Sequence, residues 1–215
     1  MLDLMVVDDH ELVRTGISRM LEDVPDIRVV AQASSGEQAM ELARGLEPDV
    51  VLMDVKMPGI GGLEATRKML RQDPGIKIVA VTVCNDEPFP SRLLNAGAAG
   101  YLTKGAELDE MVRAIKMVHA GQRYVSPDIA QALALKPFNA PEASPLDLLS
   151  ERELQIMTMI VNCEKVQIIA DKLYLSPKTV NTYRYRIFDK LGISSDVEMT
   201  LIAVRNNLLD AETAD

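Results

Sequence analysis

The chain has 215 residues, which is enough for one large domain or two of ordinary size. A hydrophobic content of 47% supports buried cores, and a net charge of −9 argues against a protein that coats nucleic acid without sequence preference. We see no secretory leader and no apolar run near the ~20 residues that cross a bilayer, and Cys84 and Cys163 fit neither a metal nor a redox spacing. A cytoplasmic protein without membrane contact is therefore expected.

Up to about residue 120, short β-rich runs alternate with amphipathic helical patterns. The predicted strands cover residues 3–8, 27–33, 49–54, 77–82 and 99–103, and the predicted helices lie near 11–23, 35–45, 62–71, 88–96 and 107–119. Ser35-Gly36-Glu37-Gln38 has the Ser-x-x-Gln form of a capping box, which marks the start of the second helix. Five strand–helix units in a row predict an α/β domain with a parallel sheet and helices on both faces.

After residue 120 the pattern changes and strands disappear. A short helix is predicted from Pro127 to about residue 135, and a linker follows. The remainder has the pattern of four short helices, two of which begin at Ser150, in a second capping box, and at Ser176 before Pro177. We therefore divide the chain into an α/β domain (1–120), a linker with a short helix (121–145) and an all-α domain (146–215).

Polar side chains stand at the carboxyl ends of the predicted strands. Asp8 and Asp9 follow the first strand, Asp54 ends the third, Thr82 ends the fourth, and Lys104 follows the fifth. In an open parallel sheet, ligands bind beyond the carboxyl ends of the strands. Any one of these residues alone has an ordinary structural explanation, and only their common position predicts a site.

The acidic members of this group predict a metal ion. Three carboxylates in one crevice raise each other's pKa values unless a cation neutralises them, and oxygen ligands at a wet strand end suit Mg²⁺. Thr82 and Lys104 could then serve an anion that arrives at Asp54, such as a phosphoryl group. Asp54 as the nucleophile would form an acyl phosphate, with the metal and the lysine neutralising charge.

These motifs, over residues 3–119, resemble the receiver domain of two-component systems. The resemblance implies a flavodoxin-like fold with five parallel strands in the order 2-1-3-4-5, Asp54 as phosphoacceptor, and a sensor histidine kinase as phosphodonor. It also implies that the main-chain carbonyl of Lys56 is a metal ligand. Tyr101 matches the aromatic residue that changes position with Thr82 when the domain is phosphorylated.

The all-α segment contains a helix, a tight turn and a second helix. On the second helix, Val180, Tyr183, Ile187 and Leu191 fall within one arc and are expected to face the core. The opposite arc carries polar side chains, although the net charge of the whole chain is negative. We expect bases to be read by Asn181, Thr182 and Tyr185, and phosphates to be bound by Lys178, Arg184, Arg186 and Lys190, with Thr179 beside them.

This segment resembles the LuxR-type helix-turn-helix domain, in the stretches "LSERELQIM" and "IIADKLYLSPKTVNTYRYRIFDKLGI". Glycine is frequent before the first helix of that motif, whereas this chain has Asn162-Cys163, and we expect asparagine to supply the left-handed turn. A receiver joined to such a domain is typical of NarL/FixJ-class response regulators, within which the motifs are closest to a group of global activators. That class implies promoter DNA as a partner and a homodimer when phosphorylated or DNA-bound.

Two alternatives remain open at this stage. A phosphatase of the haloacid dehalogenase kind also uses an aspartyl nucleophile with Mg²⁺, but it carries an Asp-x-Asp pattern on its first strand and leaves residues 146–208 without a role. The output domain could instead act on RNA or protein, although no cluster of aromatic residues offers a stacking platform. We favour a regulator that is not itself an enzyme.

Overall fold

The computed structural model of the protein describes residues 1–82, 89–139, 144–206 and 208. The chain forms two compact units, the first running to Pro137 and the second from Phe138 onward.

The first unit is an α/β sheet domain. Its strands are β1 (Leu2–Val7), β2 (Ile27–Ala33), β3 (Val50–Asp54), β4 (Lys77–Thr82), β5 (Gly100–Thr103) and β6 (Tyr124–Val125). Its helices are α1 (Glu11–Glu22), α2 (Gly36–Leu46), α3 (Gly61–Gln72), α4 (Phe89–Asn95), α5 (Leu108–His119) and α6 (Pro127–Asn139). The strands are parallel and stand in the order β2-β1-β3-β4-β5-β6, so the predicted order 2-1-3-4-5 is confirmed.

The sheet has six strands rather than the five that we predicted. Tyr124 and Val125 pair with Gly100 and Tyr101 at the free edge of β5, in a segment that the sequence analysis assigned to the linker. A strand of two residues has no alternating pattern of its own, and it forms because the edge of β5 offers unpaired backbone groups. The helix that follows, α6, packs on the same unit through the buried side chain of Ile129. The first unit therefore extends beyond residue 120.

The sheet is covered on both faces, as its continuously apolar strands require. On one face, Leu4, Leu52 and Val81 pack against residues of α1 and α5 such as Leu21 and Ile115. The other face is covered in two parts. Met5, Val51 and Ile78 pack with Ala39 of α2 and Met69 of α3, and the remaining residues form a separate cluster that contains Ala80, Leu93, Tyr101 and Ile129.

The second unit is helical. A 3-10 helix (Pro145–Leu148) precedes α7 (Glu151–Val161), α8 (Val166–Lys172), α9 (Pro177–Leu191) and α10 (Asp196–Arg205). Ser150 forms the predicted capping box with Glu153, and the Ser176 hydroxyl accepts a hydrogen bond from the backbone N–H of Thr179 at the start of α9. These caps satisfy backbone donors that have no partner within the helix.

The core side of α9 follows the predicted arc in part. Val180 and Ile187 are fully buried, while Tyr183 and Leu191 are half-buried, and Phe188 takes a buried place that we did not predict. The turn after α7 also differs from the prediction. Cys163, not Asn162, has the left-handed backbone, with φ of 61° against −80° for Asn162. The left-handed residue is therefore the one that follows the helix cap, where glycine is the usual choice.

Candidate functional site

The carboxyl ends of β1, β3 and β5 bring the predicted acidic and basic side chains together. Asp8 follows β1 and Asp54 is the last residue of β3, and both are almost completely buried. Lys104, just after β5, places its Nζ atom 2.6 Å from Asp8 Oδ2 and 2.9 Å from Asp54 Oδ2. One ammonium group thus joins two carboxylates that are 46 residues apart in the chain.

Burial governs the charge state of this cluster. Loss of water around Asp54 raises the pKa of its carboxyl to about 6, although the hydrogen bond from Lys104 acts in the opposite direction. For Lys104, burial acts to lower the pKa, but hydrogen bonds to Asp8 and Asp54 outweigh it, and the net pKa is raised. Lys104 therefore stays charged at neutral pH. Asp54 is mainly ionised, and a further cation would stabilise its buried negative charge.

The acidic residues of the cluster also fit a metal ion. One ligand atom each from Asp8, Asp9, His10 and Asp54 can be chosen so that all four lie within 4.8 Å of one another. The Oδ1 atom of Asp9 is buried and accepts no hydrogen bond with acceptable geometry, although His10 Nδ1 is 3.1 Å away. A buried carboxylate oxygen that accepts no hydrogen bond is costly, and a cation would remove that cost. These residues suit Mg²⁺, which keeps several waters beside a few carboxylates.

The loop after Asp54 folds back on the acceptor. The backbone N–H of Lys56 donates to Asp54 Oδ1 at 3.3 Å, and the N–H of Gly62 donates to the carbonyl of Val55 at 3.0 Å. A Cβ atom on Gly62 would lie only 1.9 Å from the carbonyl oxygen of Asp54, so this position requires glycine. The glycines of "MPGIGG" therefore allow a close backbone approach beside Asp54.

Thr82 and Tyr101 lie where the sequence analysis expected them, but Tyr101 is not at the surface. Thr82 ends β4 with no exposed area, and its carbonyl accepts a hydrogen bond from the N–H of Lys104 at 2.8 Å. Tyr101 is also fully buried, in the cluster that includes Ile129 of α6. The side chain of Tyr101 is therefore inside the domain in this structure, in the same buried cluster as a residue of α6. Residues 83–88, which follow Thr82, lie outside the described residues.

On α9, the predicted DNA-contact residues divide by exposure. Lys178, Thr182, Tyr185 and Arg186 are exposed, and Thr179 and Asn181 are partly exposed. The Thr182 hydroxyl donates to the carbonyl of Lys178 at 3.0 Å, so its donor is used within the helix. Tyr185 exposes 65% of its surface, a large fraction for an aromatic side chain. Together these side chains form a mixed polar and aromatic face.

Two members of the predicted set have partners within the domain. Arg184 donates from Nε to Asp196 Oδ1 at 2.7 Å and from its terminal nitrogen to Asp196 Oδ2, at the start of α10. Lys190 lies 2.6 Å from Glu153 Oε2, on the buried carboxylate of the α7 capping box. These bonds connect α9 to its neighbouring helices, and the sequence analysis missed them because the partners are 12 and 37 residues away.

Each of the two units matches a known protein family. Residues 4–116 match the family described as "Response regulator receiver domain", and residues 147–203 match "Bacterial regulatory proteins, luxR family". The chain is 70% identical over 213 residues to the response regulator GacA of Pseudomonas syringae pv. syringae (strain B728a), covering 98% of this chain and 99% of that protein.

A more distant relative and a solved structure also match along nearly the whole length. Response regulator UvrY of Escherichia coli (strain K12) is 54% identical over 214 residues, covering 99% of this chain and 98% of that protein. The crystal structure of the response regulator ChrA of a heme-sensing two-component system is 31% identical with a TM-score of 0.55, covering 97% of this chain and 98% of that chain. Among the described residues, moreover, no helix has both the length and the apolar character that a membrane span needs.

Proposed function

This chain belongs to the response regulators that join a receiver domain to a luxR-family domain, and we propose that phosphorylation of Asp54 controls its binding to promoter DNA. The phosphodonor in this proposal is a sensor histidine kinase. The observation that carries the proposal is the position of Lys104 Nζ between Asp8 and Asp54. Action on promoter DNA would take place in the cytoplasm.

The chemistry proposed for Asp54 is phosphoryl transfer from a phosphohistidine. A carboxylate oxygen of Asp54 attacks phosphorus, a P–O bond forms, and the P–N bond to the departing imidazole breaks. With its pKa raised to about 6, Asp54 is still mainly ionised at neutral pH and can act as the nucleophile. Lys104 would then bind a phosphoryl oxygen in place of one of its carboxylate partners.

Mg²⁺ would be held in this proposal by Asp8, Asp9, Asp54 and the main-chain carbonyl of Lys56. When bound, the ion would neutralise the charge of the incoming phosphoryl oxygens. Asp9 and Asp54 are proposed as direct ligands and Asp8 as a ligand through water. His10 was not among the predicted residues, and its position in the cluster adds a nitrogen that could approach the same ion.

The proposed switch links Thr82 to Tyr101. The Thr82 hydroxyl would donate to the new phosphoryl group, and its shift would alter the space next to Tyr101 on the neighbouring strand. Because Tyr101 and Ile129 belong to one buried cluster, a change in the position of Tyr101 would alter the packing of α6 on the sheet. The phosphorylated protein is proposed to dimerise, since one recognition helix covers only half of a paired DNA site.

DNA is proposed to bind the exposed face of α9. Asn181, Thr182 and Tyr185 would contact base edges, and Lys178 and Arg186 would contact phosphates, with Thr179 beside them. For Arg184 and Lys190 we propose that any phosphate contact is secondary to the ion pairs with Asp196 and Glu153. RNA or protein as the target is not favoured, because this face sits on the second helix of a helix-turn-helix.

The phosphatase alternative is not supported. The candidate nucleophile stands at the end of the third strand, the first strand ends in adjacent aspartates, and both halves of the chain match regulator families. The family is one of regulators, and we propose no turnover of external substrates.

Labelling with acetyl phosphate tests the proposal. Wild-type protein should gain one phosphoryl group with Mg²⁺ and none in excess chelator, while Asp54→Asn should gain none in either condition. Circular dichroism of both samples checks that removal of the metal leaves the protein folded. Labelling of Asp54→Asn as strong as that of the wild type would show that another residue is the acceptor.

A further inference from the structure

The loop that follows Asp54 contains glycines, which by themselves do not fix its backbone conformation. Gly59 and Gly61 have φ values of 77° and 70°, in the left-handed region where glycine is the usual residue. Ile60, which caps α3, makes no side-chain cap bond, and the two residues after it are glycines. The N–H of Gly62 bonds within the loop, to the carbonyl of Val55, whereas the N–H of Ile60 at the start of α3 has its partner outside the loop.

Glu37 of α2 supplies such a partner. Its Oε1 atom accepts a hydrogen bond from the backbone N–H of Ile60 at 3.0 Å. A Cβ atom on Gly59 would lie 2.5 Å from Oε1 and 2.7 Å from Oε2, so the whole carboxylate lies against the backbone of Gly59. A carboxylate at this place also interacts favourably with the dipole of α3, because the N-terminus of the helix carries partial positive charge.

Packing fixes the distance between the two helix starts. A Cβ atom on Gly36, the first residue of α2, would come within 2.8 Å of Ala65 Cβ and 2.9 Å of Ile60 Cγ1. The absence of a side chain at Gly36 brings the first turn of α2 onto the first turn of α3, and Glu37 is the next residue. The carboxylate is therefore held near the loop by the backbone, although its side chain is exposed to water.

The loop held in this way leads directly to the phosphoryl site. Lys56 donates its N–H to Asp54, and its carbonyl is the proposed metal ligand, while Gly62 closes the loop on Val55. We propose that Glu37 is a positioning residue for this site: by capping α3 from α2, it holds the segment Lys56–Ile60 in the conformation that presents the Lys56 carbonyl to Mg²⁺. This inference rests on the proposed function and concerns the same site.

The test is a Mg²⁺ titration of phosphorylation by acetyl phosphate in the full-length protein, with the phosphorylated fraction measured by intact mass. Glu37→Ala should raise the half-saturating Mg²⁺ concentration about tenfold, because loss of a residue that orients a metal ligand typically weakens metal binding by about 10–100-fold. The rate at saturating Mg²⁺ should change little. Glu37→Gln should remain close to the wild type, because its amide oxygen can still accept from Ile60.

Glu41→Ala is the matched control, because Glu41 is an exposed carboxylate one turn further along α2. An effect of Glu41→Ala equal to that of Glu37→Ala would assign the change to net charge and overturn the proposal. A wild-type Mg²⁺ dependence in Glu37→Ala, an equal defect in Glu37→Gln, or an unfolded Glu37→Ala protein would each overturn it as well. Failure of the proposed function itself looks different: the wild type is then not labelled at any Mg²⁺ concentration, or Asp54→Asn is labelled equally.

Discussion

Lys190 near the end of α9 forms an ion pair with Glu153 in the first turn of α7, with 2.6 Å between Nζ and Oε2. The carboxylate of Glu153 is buried and also accepts hydrogen bonds from the N–H and the hydroxyl of Ser150. Both of these donors are uncharged. The Lys190 ammonium supplies the positive charge. This pair gives Lys190 a structural role in the helical unit.

Replacing Lys190 is therefore expected to affect stability first. Lys190→Ala should lower the free energy of unfolding by about 1–2 kcal/mol, because a buried carboxylate loses its charged donor. Lys178→Ala, which removes an exposed lysine from the same helix, should leave stability unchanged and reduce the salt dependence of DNA binding by about one charge. Urea unfolding and DNA titration at several salt concentrations measure both effects. Unchanged stability of Lys190→Ala with a smaller salt slope would restore its role as a phosphate contact.

Asn181 is expected to read a base. Asn181→Ala should weaken binding to the cognate duplex by about 1–3 kcal/mol and leave binding to random duplex nearly unchanged, because the lost bonds depend on sequence. Fluorescence anisotropy with both duplexes gives the two affinities. An equal loss on both would show that Asn181 contacts the DNA backbone instead.

The buried carboxyl of Asp54 should make the metal-free protein sensitive to pH. Its pKa is raised from an ordinary value of 3.8 to about 6, so the folded state holds this proton more tightly than the unfolded chain does. The contribution of Asp54 to stability therefore falls as pH rises from about 4 to 6 and stays low above that range. In chelator, Asp54→Asn should be more stable than the wild type above pH 6 by about 1–3 kcal/mol, and the difference should close toward pH 4.

Urea unfolding across this pH range measures the difference for Asp54→Asn, and Asp23→Asn is the control for loss of one exposed negative charge. Saturating Mg²⁺ should remove the advantage of Asp54→Asn, since the wild type gains a bound cation. A constant difference between wild type and Asp54→Asn from pH 4 to 8 would contradict the raised pKa.

Thr82 is expected to transmit phosphorylation without being needed for it. Thr82→Ala should accept phosphate from acetyl phosphate but show little of the gain in dimer formation and DNA affinity that the wild type shows. The reason is that alanine has no hydroxyl to donate a hydrogen bond to the phosphoryl group and move toward it. Since a shift from 1:99 to 99:1 needs about 5.5 kcal/mol of differential stabilisation, we expect a partial switch and some DNA binding by unphosphorylated wild type. Sedimentation and DNA titration provide the comparison. A full phosphate-dependent gain in Thr82→Ala would exclude this role.

Local sequence determined the elements that depend on neighbouring residues. The apolar runs of β3 and β4 predict strands buried on both faces, and Ser150 and Ser176 mark helix starts because a cap bonds to a backbone group only two or three residues away. The parallel sheet then required the carboxyl ends of β1, β3 and β5 to share one edge, so the sequence alone predicts that Asp8, Asp54 and Lys104 meet.

Tertiary structure alone decided the contacts between residues that are distant in the chain and belong to no repeating pattern. The two residues of β6 are a strand only because the edge of β5 is open to them, and Tyr101 is buried in a cluster that includes Ile129 of α6. Glu37 looked like an ordinary residue inside a capping box, and only the close approach of α2 to α3 makes its carboxylate the cap of a different helix. Burial likewise sets the pKa of Asp54, since desolvation depends on all the atoms packed around a carboxyl group and not on its neighbours in sequence.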